Sequence, residues 1–301
     1  RDGMRIFSGQ ELTVQYRKLG NTDLTPSLLG FGCSMIASLA TRHSPGEIEA
    51  TLRAARDSGI TFFDTADVYG QGDSERLLGR VYRDQGDGMI LCTKAGLTVG
   101  PVEGLVRMVK PVLNVLLRRW PSARGATTRT RRCQEGQCFN PDYLCRRIEG
   151  SLRRLGVDRI DLFLLHNPPV DLPQRNEVFE LLLRLRADGK LRHFGVSCRS
   201  LEDADSWVEH PGVACVQVPL DRSRIESALP LLERAGVLGV GVIAREILSH
   251  DAMAAGSVSA AFRPLVQRPE VGVMLAGMGC RTHLRENLGA IEETLRCVHV
   301  A

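Results

Sequence analysis

The chain has 301 residues, 43% of them hydrophobic and 25% charged, which is the composition of an ordinary globular protein. Its formal charge of +4 is too small over this length for a nucleic-acid-binding surface. No apolar run approaches the roughly 18 residues that cross a bilayer, and Arg1 to Met4 carry no hydrophobic leader core, so the expectation is a cytoplasmic protein with no membrane or nucleic-acid partner.

Residues 4 to 16 alternate weakly around Ser8-Gly9-Gln10, which predicts a short N-terminal hairpin. One pattern then repeats. Apolar runs with strand character are predicted at 27–32, 61–64, 89–94, 160–166, 193–197, 213–218, 237–243 and 271–276. Between and after them, apolar residues recur at helical spacing over 45–58, 74–82, 142–155, 176–188, 201–208, 225–235, 259–266 and 282–294. Strands alternating with helices, with no linker between them, predict a parallel (β/α)8 TIM barrel occupying residues 1–301 as one domain. Nine scattered cysteines, several inside apolar runs, read as reduced thiols.

In such barrels catalytic groups stand at the carboxyl ends of several strands. Asp64 ends the second predicted strand, Lys94 the third, His166 the fourth and Ser197 the fifth, with Gln217 near the end of the sixth and Tyr69 in the loop after Asp64. Each alone has an ordinary structural explanation, but their shared position argues for one site. A tyrosine whose proton is tuned by an ammonium, a carboxylate holding that ammonium, and a histidine for a substrate oxygen suit protonation of a carbonyl or deprotonation of an alcohol. Lys94 is expected to favour the Tyr69 phenolate. The set contains no electron source, which points to a nicotinamide cofactor.

The chain resembles the aldo-keto reductases. The resemblance runs through Gly30-Phe31-Gly32, Phe63 to Gly70, Thr93-Lys94, Leu164 to Pro168, Gly189 to Ser197 and Gly277 to Asn287. It implies carbonyl reduction or alcohol oxidation with Tyr69 as general acid, Lys94 and Asp64 as its tuning pair and His166 orienting the carbonyl. It also implies a cofactor site using Gly32, Ser197, Cys198, Gln217, Arg245, Leu248, Gly277, Arg281, Glu286 and Asn287, with NADP(H) favoured over NAD(H). Cys198 replaces a common asparagine, His283 stands where many NADP-preferring members have arginine, and Glu246 puts a carboxylate near the expected pyrophosphate. The substrate implied is a small carbonyl compound or a sugar-like molecule, the assembly a monomer or weak homo-oligomer. A cofactor-binding redox sensor with little turnover is the rival reading.

Residues 96–139 form a long basic loop after the third strand, rich in arginine from Arg107 to Arg132. A loop of this length on the catalytic side reads as a lid over the cofactor phosphates or as a solvated connector. Cys133, Cys138 and Cys145 lie in or beside it at spacings that do not form a paired metal-binding motif, so no metal is expected.

Overall fold

The computed structural model describes residues 3–7, 10–37, 41, 43–84, 88–99, 135–249 and 256–300. Strands β1 (Gly3–Phe7) and β2 (Gln10–Val14) pair antiparallel as the predicted hairpin. Eight parallel strands then close a barrel: β3 (Leu29–Gly32), β4 (Phe62–Asp64), β5 (Ile90–Ala95), β8 (Ile160–His166), β9 (Leu191–Ser197), β10 (Cys215–Pro219), β11 (Gly241–Arg245) and β12 (Val271–Gly277). β12 pairs back onto β3, so no edge is left open.

Eight helices among the described residues surround it: α1 (Pro45–Asp57), α2 (Asp73–Asp84), α3 (Pro141–Leu155), α4 (Asn176–Ala187), α5 (Leu201–Val208), α6 (Ile225–Leu238), α7 (Val258–Val266) and α8 (Arg281–Val300). Local chemistry sets several of their boundaries. Ser44 and Glu47 form a reciprocal capping box at the start of α1, Asn140 accepts from the first amides of α3, and the left-handed Gly156 ends α3.

The core has two layers. Phe62, Cys92, Leu162, Leu164, Cys215, Ile243, Val273 and Leu275 come from six strands and meet one another inside the barrel, with Leu19 and Leu24 packed among them. A second, larger layer joins the outer strand faces to the helices. Cys33, Cys92, Cys198 and Cys215 are buried free thiols, and burial pushes each upward in pKa, so they act as small apolar groups.

One predicted element is misplaced. Val237 and Leu238, read as the start of the seventh barrel strand, are the last residues of α6, and β11 begins at Gly241. The helix stops only at Gly239, left-handed at φ 70°, whose amide bonds back to Ala235 and Gly236. Val237 is 87% exposed, so its apolar character marks neither strand nor core. The two ends of the long insert pair with each other as β6 (Leu97–Val99) and β7 (Glu135–Gln137). The arginine-rich stretch expected to form a lid, and Cys133 with it, lies outside the described residues.

Candidate active site

Side chains alternate across a strand, so residues two apart share a face. Phe62, Cys92, Leu164, Cys215 and Ile243 line the barrel interior, and two residues on from each stand Asp64, Lys94, His166, Gln217 and Arg245. The candidates therefore form the layer above the apolar filling, at the carboxyl mouth of the barrel. Asp64, Lys94, His166, Ser197 and Gln217 are all buried.

A single hydrogen-bonded chain connects most of them. Lys94 Nζ donates to Asp64 Oδ2 at 2.6 Å and to the carbonyl of Thr65 at 2.9 Å. Gln217 Nε2 donates to Asp64 Oδ1 at 2.9 Å, and Ser197 Oγ donates to Gln217 Oε1 at 2.8 Å. Burial alone drags the Lys94 ammonium downward in pKa, but Asp64 and then Tyr69 outweigh it, and the group is held above its ordinary value. Lys94 is therefore a permanent cation with one fixed direction.

Tyr69 is delivered by an unusual turn. Thr65 to Val68 leave β4, and the 3-10 turn Tyr69–Gly72 carries left-handed backbone at Gly70 (φ 58°), Gln71 (φ 61°) and Gly72 (φ 84°). At Gly70 a Cβ would stand 2.5 Å from the carbonyl oxygen of Ala37, so glycine is required there by space as well as by φ. The turn brings the Tyr69 ring centroid within 5.1 Å of Lys94 Nζ and 5.9 Å of the His166 ring, edge to face. Contrary to the expected phenolate, the Tyr69 phenol is pushed up in pKa: burial outweighs the pull of Lys94 and Arg245, and Asp64 adds to the rise. Tyr69 thus keeps its proton at neutral pH, the state of a donor.

His166 is neutral as well. Burial, then Lys94 and Arg245, push its imidazole well below the ordinary range. Its Nδ1 is buried and meets no hydrogen-bond partner among the described residues. A buried, unsatisfied ring nitrogen beside the tyrosine is polar capacity left over for something that enters the pocket.

The remaining predicted residues differ more in burial and direction. Arg245 donates to the carbonyl of Cys198 at 2.8 Å and pairs with Glu246, whose backbone is left-handed at φ 60°. The carboxylate expected to confront a pyrophosphate is therefore matched by its own neighbour. Cys198 sends its side chain into the outer core, one residue out of phase with Ser197, and offers only its backbone toward Arg245. Leu248 packs partly buried against the same core. At the end of β12, Gly277 is exposed with nothing near its Cβ direction, Arg281 and Glu286 are exposed on the first turns of α8, and Asn287 is buried. Gly32 ends β3 beside Gly277 in register.

The family model for the aldo/keto reductase family matches residues 28–261. The chain belongs to the aldo/keto reductase family. It is 30% identical to the aldo-keto reductase YhdN of Bacillus subtilis over 72% of this chain and 58% of that protein. It is 29% identical to a pyridoxal 4-dehydrogenase of Microbacterium luteolum, over 76% and 72% of the two chains. In fold it matches the holo form of an aldo-keto reductase from Bacillus halodurans with a TM-score of 0.73, covering 93% of this chain and 91% of that one at 21% identity.

This aldo-keto reductase is accordingly an oxidoreductase of a family that uses nicotinamide cofactors, and its pocket chemistry fits such a group. After the internal bonds, Gln217 keeps one N–H and Ser197 Oγ keeps lone pairs, the donor and acceptor a carboxamide needs. The first turn of α8 contains no acidic residue, which leaves its amide end open to a phosphate.

Residues missed by the sequence reading stand directly behind the site. Asp67 is fully buried and pairs with Arg147 of α3, while its amide bonds to the Lys94 carbonyl at 3.0 Å. Glu75, equally buried, accepts from Thr93 Oγ1 at 2.7 Å and from Arg154 at 2.6 Å. Thr65 and Ser74 share a hydrogen bond of 2.8 Å. These bonds tie the Tyr69 loop to β5 and α3. The only sequence signal was the acidic spacing of Asp64, Asp67, Asp73 and Glu75, because the arginine partners lie some 80 residues away.

Proposed function

We propose that residues 1–301 act as one barrel domain that interconverts a ketone or aldehyde with its alcohol, using NADP(H) in preference to NAD(H). The observation that supports this best is the meeting of three groups in fixed protonation states around one pocket: protonated Tyr69, cationic Lys94 and neutral His166. The nicotinamide, when bound, supplies the hydride. Tyr69 donates its phenolic proton to the carbonyl oxygen as charge develops there, and His166 offers that oxygen a hydrogen bond from a ring nitrogen. Lys94 stabilises the phenolate that Tyr69 becomes, and Asp64 keeps the ammonium charged and aimed. In the reverse direction the Tyr69 phenolate, held by Lys94, accepts the proton of the alcohol.

Ser197 and Gln217 would hold the carboxamide, with Arg245 beside the nicotinamide and Gly32, Cys198, Leu248, Gly277, Arg281, Glu286 and Asn287 framing the rest of the cofactor. The preference for NADP(H) rests on Arg281 and Arg285, both exposed near the start of α8. A relative from Schizosaccharomyces pombe, 28% identical over 73% of this chain, carries NADP(+) in its name. We assign the protein to the cytoplasm, as a monomer or weak homo-oligomer acting on a small carbonyl or sugar-like substrate.

The test follows absorbance while the protein meets NADPH and a panel of ketones, aldehydes and sugar-derived carbonyls. Tyr69→Phe removes the proton and keeps the ring. Turnover should fall by roughly 10²–10⁴-fold while cofactor affinity changes little. A variant that keeps its turnover would sink the role given to Tyr69.

A further inference from the structure

On the outside of the barrel, α2 and α3 flank an open cleft of about 470 Å3 lined by Arg76, Arg80, Arg83, Gly150, Arg153 and Arg154. Five guanidinium groups in one concavity invite mutual repulsion, and acids answer only part of it. Arg76 pairs with Asp73 at 3.1 Å, Arg154 with Glu75 at 2.6 Å, and Arg80 with Glu49 at 3.1 Å. Glu49 is shared, since Arg53 also holds it at 2.8 Å. Arg83 and Arg153 are exposed and have no ion-pair partner among the described residues. The cleft therefore carries more positive charge than its acids neutralise. Part of that excess faces the carboxyl ends of α2 and α3, where cations are favoured.

The wall shows how the arginines are kept in place. A Cβ at Gly72 would stand 2.6 Å from Arg154 Cδ, and one at Gly150 would stand 2.8 Å from Arg154 Nη1. One at Gly156 would stand 2.9 Å from Arg83 Nη1. Glycine at these positions lets the Arg154 and Arg83 side chains approach the backbone closely. Positioning of this sort reduces the side-chain entropy lost when a ligand is gripped.

We propose that this cleft binds a small, multiply charged phosphate compound. Guanidinium forks match phosphate oxygens two at a time, and several forks converging on one concavity suit an anion of high charge density. The volume lies within the range of small-molecule sites. A nucleic acid would need cations spread along an extended track, whereas these are confined to one cleft. The cleft faces away from the barrel interior, between two helices, so its occupant is separate from the cofactor and substrate of the reductase.

Calorimetric titration of the 301-residue chain with sodium tripolyphosphate tests this, with NADP+ present in excess so that phosphate contacts of the cofactor are already filled. The wild type should bind at one site, and Arg83→Ala/Arg153→Ala should weaken binding at least about ten-fold. Arg83→Glu/Arg153→Glu should abolish it. Both variants should keep the carbonyl reduction of the wild type. The alanine variant should keep its thermal midpoint to within a few degrees, while the glutamate variant should lower the midpoint modestly because acids are disfavoured at helix carboxyl ends. Absence of binding by the wild type at matched ionic strength, or binding that both double variants retain, overturns the proposal.

Discussion

Two carboxylate–cation pairs stand at opposite ends of the barrel and use the same chemistry to different effect. At the carboxyl mouth, Lys94 Nζ meets Asp64 at 2.6 Å with side chains only 1% and 7% exposed. At the amino end, Arg192 meets Asp23 at 2.7 Å, with His193 Nε2 on the second oxygen at 2.6 Å, but here the side chains are 29% and 65% exposed. Hydrogen bonds from Arg192 and His193 hold the Asp23 carboxyl below its usual range, yet water and salt compete for both partners. At the mouth little water reaches the pair, and Asp64 holds the Lys94 ammonium above its ordinary pKa. Distance alone does not separate a buried pair from a surface clasp; access of water does.

The largest effect expected from this contrast is at Lys94. Lys94→Met leaves Asp64 buried without its cation, and breaking such a pair costs about 3–5 kcal/mol. Turnover should fall at least as far as in Tyr69→Phe, and Asp64→Asn/Lys94→Met should recover much of the stability without recovering turnover. Calorimetric unfolding beside the NADPH assay reads both. A single variant that is stable and active would erase the distinction between the two ends.

Asp67 tests an intermediate case, buried itself but paired with an arginine 22% exposed. Burial pushes its carboxyl up to about 7, against the pull of Arg147. The folded pKa is thus raised above the unfolded value near 3.9, so the folded state holds the proton more tightly. The contribution to stability is full below about pH 3.9 and is lost as pH rises through 7, a span worth on the order of 4 kcal/mol. Urea unfolding at pH 5 and pH 8 should show this decline in the wild type and a flatter dependence in Asp67→Asn. Equal slopes would show that Arg147 neutralises the site fully.

The smallest effect belongs to Asp23. Asp23→Asn should change stability by less than about 1 kcal/mol, less still in high salt, and leave turnover unchanged. A loss comparable to that of Lys94→Met would mean that the amino end of the barrel is as closed to water as its mouth.

Much of this was legible along the chain. Strand β8 and helix α5 fall where the apolar pattern puts them, and Asp64, Lys94 and His166 could be read as strand ends because a buried parallel strand is a short apolar run with a polar stop. Val237 and Leu238 misled because an exposed apolar pair on a helix end has the same composition as a strand start. The pairing of Glu246 with Arg245, and the retreat of Cys198 into the core, depend on side-chain direction, which a one-residue change of phase reverses.

By itself, the sequence determined the barrel and the chemical identity of its mouth, since periodicity and polar stops are local properties of neighbouring residues. Only the tertiary structure decided the protonation states and the supporting bonds. Tyr69 keeps its proton because packing around its partly buried ring removes enough water to outweigh the pull of Lys94. Asp67 and Glu75 find Arg147 and Arg154 because β5, α2 and α3 pack together. The arginine cleft exists because two arginine-rich helices turn basic residues toward one groove. Desolvation and long-range pairing are properties of the packed chain, and no stretch of sequence carries them alone.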